Sequence, residues 1–252
     1  MSKISTVDSI VEALAFRIAA GIYGAGEPLP SVRKLAEEFA VNPSTVKVIV
    51  AQLEAAGFIS CHNRVGMIVK DIDKYGGIQA WRYMFRFAQK LPDRAVKILR
   101  DILEIRGDFI EKATRKISAN PQHYDPAPVR AVVDRLCMLV AEPEIDIKEF
   151  CKAELHAARM TMIAIDQSVI TAIYNSIGEI LLEIPAVVEA MYSNPRVNAM
   201  VWMQLVTDWE KGQSQESFHL RFSEFLKEYD KFTLMRFKEI ILAENGNAVK
   251  KD

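Results

Sequence analysis

Four side chains able to donate hydrogen bonds, Asn42, Ser44, Thr45 and Lys47, crowd the start of one segment with helical period. That placement suits reading of a duplex. A recognition helix enters the major groove by its N-terminal end, where amide, hydroxyl and ammonium groups meet phosphates or base edges. Arg33 and Lys34 begin the preceding helical segment and can reach the flanking backbone. His62, Asn63 and Arg64 lie between two short strand-like runs. A second candidate is Arg106. Val96, Leu99, Leu103, Arg106, Ile110, Ala113 and Ile117 step by three and four along one helix face, so one guanidinium interrupts an apolar stripe. Burying it unpaired costs several kcal/mol, so it must find an anion or reach water. The anion is either a carboxylate such as Glu154, Glu179 or Glu183, or a ligand carboxylate or phosphate held in bidentate fashion. Chemistry of other kinds finds little support. Lys152 and Arg159 flank His156 on its own helix face and would repel a divalent cation. His156 and His219 therefore read as ordinary histidines, and no metal or cofactor is expected. No nucleophile–base pair, phosphate-binding glycine loop or paired-carboxylate motif points to an enzyme.

The elements that must position these residues follow from periodicity. Val7, Ile10, Val11, Leu14, Ala15 and Ile18 predict an amphipathic helix stopped at Gly21. Ser31 can cap a short helix burying Val32, Leu35, Ala36 and Phe39. Pro43 suits the first turn of a third helix, which buries Val46, Ile49, Val50 and Leu53 and ends at Gly57. Phe58–Cys61 and Met67–Lys70 predict two strands around the polar turn His62–Gly66. This order is that of a winged helix-turn-helix.

After Asp71 the texture changes. A linker at 72–77 leads into a segment, 78–244, with helical period throughout and no convincing hairpin. Breaks near Pro92, Pro121 to Pro128, Pro143, Asp166, Pro195 and Gly212 divide it into about six or seven helices. Residues 245–252 form a polar tail. The expected fold is thus mainly α: a winged helix-turn-helix at 1–71 and an all-α bundle at 78–244. The balance of 50% hydrophobic and 26% charged residues is that of a globular protein. Three cysteines without CxxC spacing suit a reducing cytoplasm, and no 18-residue apolar run or signal-peptide layout appears. Up to Asp71 the basic residues Lys3, Arg17, Arg33, Lys34, Lys47, Arg64 and Lys70 are matched by as many acids. A basic surface must therefore come from placement: Arg33, Lys34, Lys47 and Arg64 all fall on the helix-and-wing side.

Three linked motifs sharpen this reading. Pro28-Leu29-Pro30-Ser31-Val32-Arg33-Lys34-Leu35-Ala36, Val41-Asn42-Pro43-Ser44-Thr45-Val46-Lys47 and Leu53-Glu54-Ala55-Ala56-Gly57-Phe58-Ile59 resemble the GntR family of bacterial regulators. FadR-type members carry arginine in the recognition turn and after the threonine pair. Pro43 and Lys47 stand there in this chain, a wording closer to YtrA-type members. The helical segment, with Ile102-Leu103-Glu104-Ile105-Arg106 and Ser193-Asn194-Pro195-Arg196, resembles the FadR branch, whose bundle binds an effector. It is too short for the aminotransferase-like domain of MocR regulators and lacks the strands of other branches' effector domains. Many FadR-branch members hold a metal with one Asp and three His. Lys152 replaces the Asp and Lys238 the last His. Thr233 and Phe237 fall where the branch's fatty-acid regulator keeps ligand-side residues, and Asp230 where it has a glycine.

The resemblance implies a cytoplasmic, homodimeric transcription regulator, a repressor, that binds a pseudo-palindromic operator in duplex DNA without engaging a membrane. Its candidate DNA contacts are Arg33, Lys34, Asn42, Ser44, Thr45, Lys47, His62, Asn63 and Arg64. Its candidate effector contacts are Arg106, Tyr174, Trp202, Thr233 and Phe237, around a small anionic or acyl-CoA-like ligand. The rival readings are a ligand-free architectural dimer and an enzyme with a DNA-targeting domain.

Overall fold

In the computed structural model, backbone is described for residues 6–212 and 216–248, and side chains for 6–212 and 224–243. The chain divides into two compact units, Met1–Ala95 and Val96–Asp252.

In the first unit, α1 (Thr6–Ala19) buries Ile10, Val11, Leu14, Ala15 and Ile18, the face its spacing predicts. Ser31 caps α2 (Val32–Glu38), its Oγ accepting the Lys34 N–H at 3.3 Å. The turn after α2 passes through Ala40 at a left-handed φ of 51°. There the Val41 N–H returns to the Ala36 carbonyl at 3.0 Å. α3 (Pro43–Ala55) opens on proline, which has no amide hydrogen to leave unsatisfied, and buries Val46, Ile49, Val50 and Leu53 against α1 and α2. The wing pairs β1 (Ile59–His62) with β2 (Gly66–Val69) antiparallel, Ile59 opposite Val69 and His62 opposite Gly66. β2 is bonded on its other side too. The Val69 N–H reaches the Glu27 carbonyl at 2.9 Å and the Leu29 N–H the Met67 carbonyl at 2.8 Å, so the loop after α1 covers that edge.

The stretch at 72–77 is built into this unit. Asp71 caps a single turn, α4 (Ile72–Tyr75), and the backbone beyond it lies against Gly57. Gly57 has φ +87°, and a Cβ there would come 3.0 Å from the Tyr75 carbonyl oxygen, so both conformation and space require glycine. α5 (Ile78–Arg86) packs on α1, with Tyr83 edge-on to Phe58 at 5.5 Å and Phe87 edge-on to Phe16 at 5.3 Å. The first unit therefore runs past the wing to Ala95.

The second unit holds seven α-helices among the described residues and no strand: α6 (Pro92–Ala119, its first turn in the first unit), α7 (Ala127–Ala141), α8 (Ile147–Ala164), α9 (Ser168–Leu182), α10 (Pro185–Met191), α11 (Pro195–Glu210) and α12 (Glu216–Ala248). α8 lies between α7 and α9, α11 packs on α7, and α10 on α12. Prolines sit in the first turns of α7 and α11, where breaks were expected, and of α10, whose break from α9 at Pro185 was not. Asp166, at a left-handed φ of 55°, turns the chain between α8 and α9. No single described helix is long and apolar enough to cross a membrane. α9 and α10 meet that test only together, bent by 106°.

Candidate nucleic-acid interface and the cavity of the helical unit

The structure brings the predicted DNA contacts to the outer side of α2, the first turns of α3 and the wing tip. Asn42, Ser44 and Lys47 are exposed and Thr45 half-buried. Asn42 precedes α3 without bonding its amides, so its side chain and the first N–H groups of α3 stay open. Those amides and the positive end of the helix dipole favour a phosphate. The cations differ in freedom. Arg33 is ion-paired to Glu37 at 3.1 Å one turn along, although its side chain is 89% exposed. Lys34, Lys47 and Arg64 are exposed and make no ion pair among the described residues. The wing is tied to α3 by the Cys61 N–H, which donates to Glu54 Oε1 at 2.7 Å. Burial and the neighbouring Glu54 charge push the Cys61 thiol up, so it stays protonated. At the tip, Arg64 adopts φ 67° and His62 Nε2 lies 2.9 Å from Ser60 Oγ.

One residue of this surface escaped the sequence reading. Val48, beside Lys47 on α3, is 50% exposed. It stands outside the set Val46, Ile49, Val50 and Leu53 that faces the core, and that offset was the available signal. An aliphatic side chain there can meet the methyl group of thymine.

In the helical unit the predicted effector residues separate. Arg106, Tyr174 and Trp202 line one cavity of about 120 Å³ between α6, α8, α9, α11 and α12. Thr233 and Phe237 do not line it. Both are fully buried, one and two turns along α12 beyond Tyr229, and the Thr233 hydroxyl is spent on the Tyr229 carbonyl at 2.9 Å. The resemblance to the branch's fatty-acid regulator suggested them, but the cavity ends before their turns.

Arg106 has a protein partner, and it is none of the carboxylates the sequence suggested. Its Nη2 donates to Asp230 Oδ1 on α12, and each side chain is 18% exposed. Burial works to lower the Arg106 pKa, but Asp230 and Glu154 outweigh it and hold the guanidinium charged. Asp230 is itself raised by burial, against the pull of Arg106. Arg106 Nε is buried with no hydrogen-bond partner.

Glu154 faces the same cavity and serves a different role. Its Oε1 accepts from Asn198 Nδ2 at 3.1 Å and Trp202 Nε1 at 3.0 Å, and Tyr192 also bonds to it. The Tyr229 hydroxyl, with one proton to donate, lies within hydrogen-bond reach of both the Met191 carbonyl and Asn198 Oδ1. Tyr174 packs its ring on Phe109 at 5.7 Å, and its hydroxyl makes no hydrogen bond among the described residues. Burial pushes Tyr174 up to about 12, so the hydroxyl is a proton donor throughout the neutral range. Glu154, Asn198 and Tyr229 come from three helices and Tyr192 from the turn after α10, and nothing in their local spacing marked them as neighbours.

For a metal, the described residues offer no cluster of three or more histidine, cysteine or acidic side chains. His156 is exposed on α8, and Lys152 beside it pairs with Glu149 at 2.5 Å. The side chain of His219 lies outside the described residues, as do those of Phe218 and Phe222.

Helix, helix-turn-helix and hairpin, with open donors on the third helix, define the N-terminal unit as a winged helix-turn-helix of the DNA-binding kind. Residues 6–69 match the family described as bacterial regulatory proteins, gntR family. That stretch is a GntR-family helix-turn-helix domain, and the family is one of transcription regulators rather than enzymes. No curated protein matches the chain. Solved structures that align with it include Lar of Listeria monocytogenes, described as controlling expression of the agr system and mediating virulence, at 18% identity over 98% of this chain and 99% of that one (TM-score 0.44). A GntR-family transcriptional regulator from Listeria monocytogenes aligns at 26% identity over 40% of this chain and 84% of that one (TM-score 0.30). Another GntR-family member, from Pseudomonas syringae pv. tomato, aligns at 15% identity over 93% and 88% (TM-score 0.42). Likenesses this loose assign neither ligand nor partner.

Proposed function

We propose that the chain is a ligand-responsive repressor that binds a pseudo-palindromic operator as a homodimer and is released or retuned when a small molecule enters the helical unit. The DNA-binding half of this reading rests on one observation: Lys34, Lys47 and Arg64 are exposed and make no ion pair among the described residues, and α3 begins with open amides beside Lys47. Exposed cations in that setting exchange counterions for phosphates, and affinity then falls steeply with salt. A two-fold dimer supplies the second half-site that a single modest module lacks. The effector half is supported by the cavity. A bundle that only dimerises has no use for polar groups gathered around an interior space, since close packing is worth more.

The test is a binding titration on DNA fragments selected by the protein itself, at two salt concentrations, with sedimentation to read the dimer. Lys47→Ala is expected to weaken binding and to lower the salt slope by about one. Unchanged affinity and slope in Lys47→Ala and Arg33→Ala together would sink this docking.

A further inference from the structure

We infer that the cavity takes a compact, uncharged, mainly apolar molecule carrying one oxygen acceptor, and not the anion that a lone arginine on an apolar stripe would suggest. The inference rests on the reading of this cavity as the effector site and names what the site accepts. Its size comes first. The cavity of about 120 Å³ is joined by a smaller one of about 20 Å³ that shares Ile110, Tyr174 and Trp202 with it. Cavities of roughly 150 Å³ lined by apolar side chains hold a benzene-sized guest. An acyl-CoA is far too large for this space, and a single ring or short chain suits it.

Charge comes second. Arg106 is already neutralised by Asp230, and Glu154 adds a further negative charge at the cavity wall. A ligand carboxylate or phosphate would have to share Arg106 with Asp230 while facing Glu154, setting three negative groups against one cation. A cation fares no better. Three donors already occupy Glu154, out of about four lone-pair positions on a carboxylate.

What is left unspent decides the polarity of the ligand. The Tyr174 hydroxyl makes no hydrogen bond among the described residues, whereas Arg106 Nε, also without a partner among them, has almost no accessible surface of its own. The Tyr174 hydroxyl is a donor, whereas Glu154 Oε1 is already engaged by Asn198 and Trp202. Buried polar groups in folded proteins are almost always satisfied, and an unspent donor on a cavity wall calls for an acceptor from outside the chain. A ketone, ester, lactone or ether oxygen supplies it without bringing charge.

Four probes of similar size separate the possibilities on the full-length protein: cyclohexanone, methylcyclohexane, cyclohexylammonium and cyclopentanecarboxylate, each titrated by calorimetry and thermal shift. Cyclohexanone is expected to bind at least tenfold more tightly than either ion. Tyr174→Phe keeps the ring and fold. It is expected to weaken cyclohexanone about three- to tenfold, the worth of one hydrogen bond, and to leave methylcyclohexane unchanged. Tighter binding of either ion overturns the inference, as does equal binding of cyclohexanone and methylcyclohexane, or binding of none. The same probes added to the protein–DNA complex test the underlying reading separately. Cyclohexanone that binds without altering DNA affinity retires the effector role but not the ligand class. The carboxylate altering DNA affinity does the reverse.

Discussion

The α2–α3 surface and the cavity of the helical unit both carry charge, and they treat it in opposite ways. On α3 the Lys47 ammonium stands in water with no partner, and Lys34 and Arg64 stand likewise. In the cavity Arg106 is matched by Asp230, and Glu154 is held by three neutral donors. The cause is the dielectric. Water screens an exposed cation, so leaving it unpaired costs little and keeps it available to a phosphate. A low-dielectric interior imposes several kcal/mol on each unpaired ion, so the chain must balance its charges before any ligand arrives. Under the proposals made above, recognition by charge belongs to the first unit, and recognition by shape and a single hydrogen-bond acceptor to the second.

The comparison breaks most visibly if a buried charge is stripped of its partner. Asp230→Asn leaves Arg106 buried without a counter-ion, and about 3–5 kcal/mol of stability is expected to go. Thermal denaturation should show a fall on the order of 10 °C for a unit of this size. The double change Arg106→Met with Asp230→Leu should recover most of it, because two apolar side chains carry no desolvation cost. If Asp230→Asn melts like the parent, the pair is not buried in solution and the contrast between the two regions fails.

On the exposed side the expected changes are smaller and appear in DNA affinity. Glu37 holds Arg33 at 3.1 Å. Glu37→Gln should free that cation and tighten DNA binding a few-fold at low salt, with the gain fading as salt rises. A loss of affinity would place Arg33 outside the interface.

A backbone change comes next. Ala40 holds a left-handed φ of 51° at an exposed turn between the two DNA-side helices, a conformation that costs a residue with a Cβ about 1 kcal/mol relative to glycine. Ala40→Gly should therefore stabilise the first unit by up to about 1 kcal/mol, less the extra entropy that glycine brings to the unfolded chain. A chemical melt that shows clear destabilisation would mean that the turn relaxes away from this geometry.

The least effect is expected at the Arg130–Glu210 pair on the outside of the helical unit. The hydrogen bond from Arg130 holds Glu210 below its ordinary pKa of 4.5. A depressed carboxylate stabilises the fold above its unfolded-state pKa, and that contribution is lost as pH falls through the folded value. With both side chains partly in water the contact is worth a few tenths of a kcal/mol. Glu210→Gln should thus melt slightly earlier than the parent at pH 7, with the gap closing in acid. A gap that is constant with pH would trace to packing.

How far the sequence alone reached follows the range of the forces involved. Ser31 as a cap, Pro43 in a first turn, Gly57 past the end of α3 and the polar turn 62–66 are decided within a few residues, and each stands where its local chemistry put it. The donors of α3 share a face for the same reason. The wing strands begin and end within a residue of expectation, because alternation specifies a face more sharply than an end. Periodicity likewise distinguished a helical segment from the winged one, but it began that segment at 78, whereas the compact units divide after Ala95. It could not say that residues 72–77 fold against Gly57, because that depends on a backbone approach between segments distant in the chain.

Arg106 marks the limit most clearly. The sequence by itself determined that a guanidinium falls on an apolar helix face and must find an anion, because burial energy leaves no third choice. Which anion satisfies it was a tertiary matter. Asp230 lies 124 residues away, and only the packing of α12 beside α6 brings it nearer than Glu154. The same packing closed the cavity before Thr233 and Phe237, and left the Tyr174 hydroxyl without a partner among the described residues. Helical period gives direction around one axis, whereas contact between helices depends on crossing angle and depth, which only the assembled bundle decides.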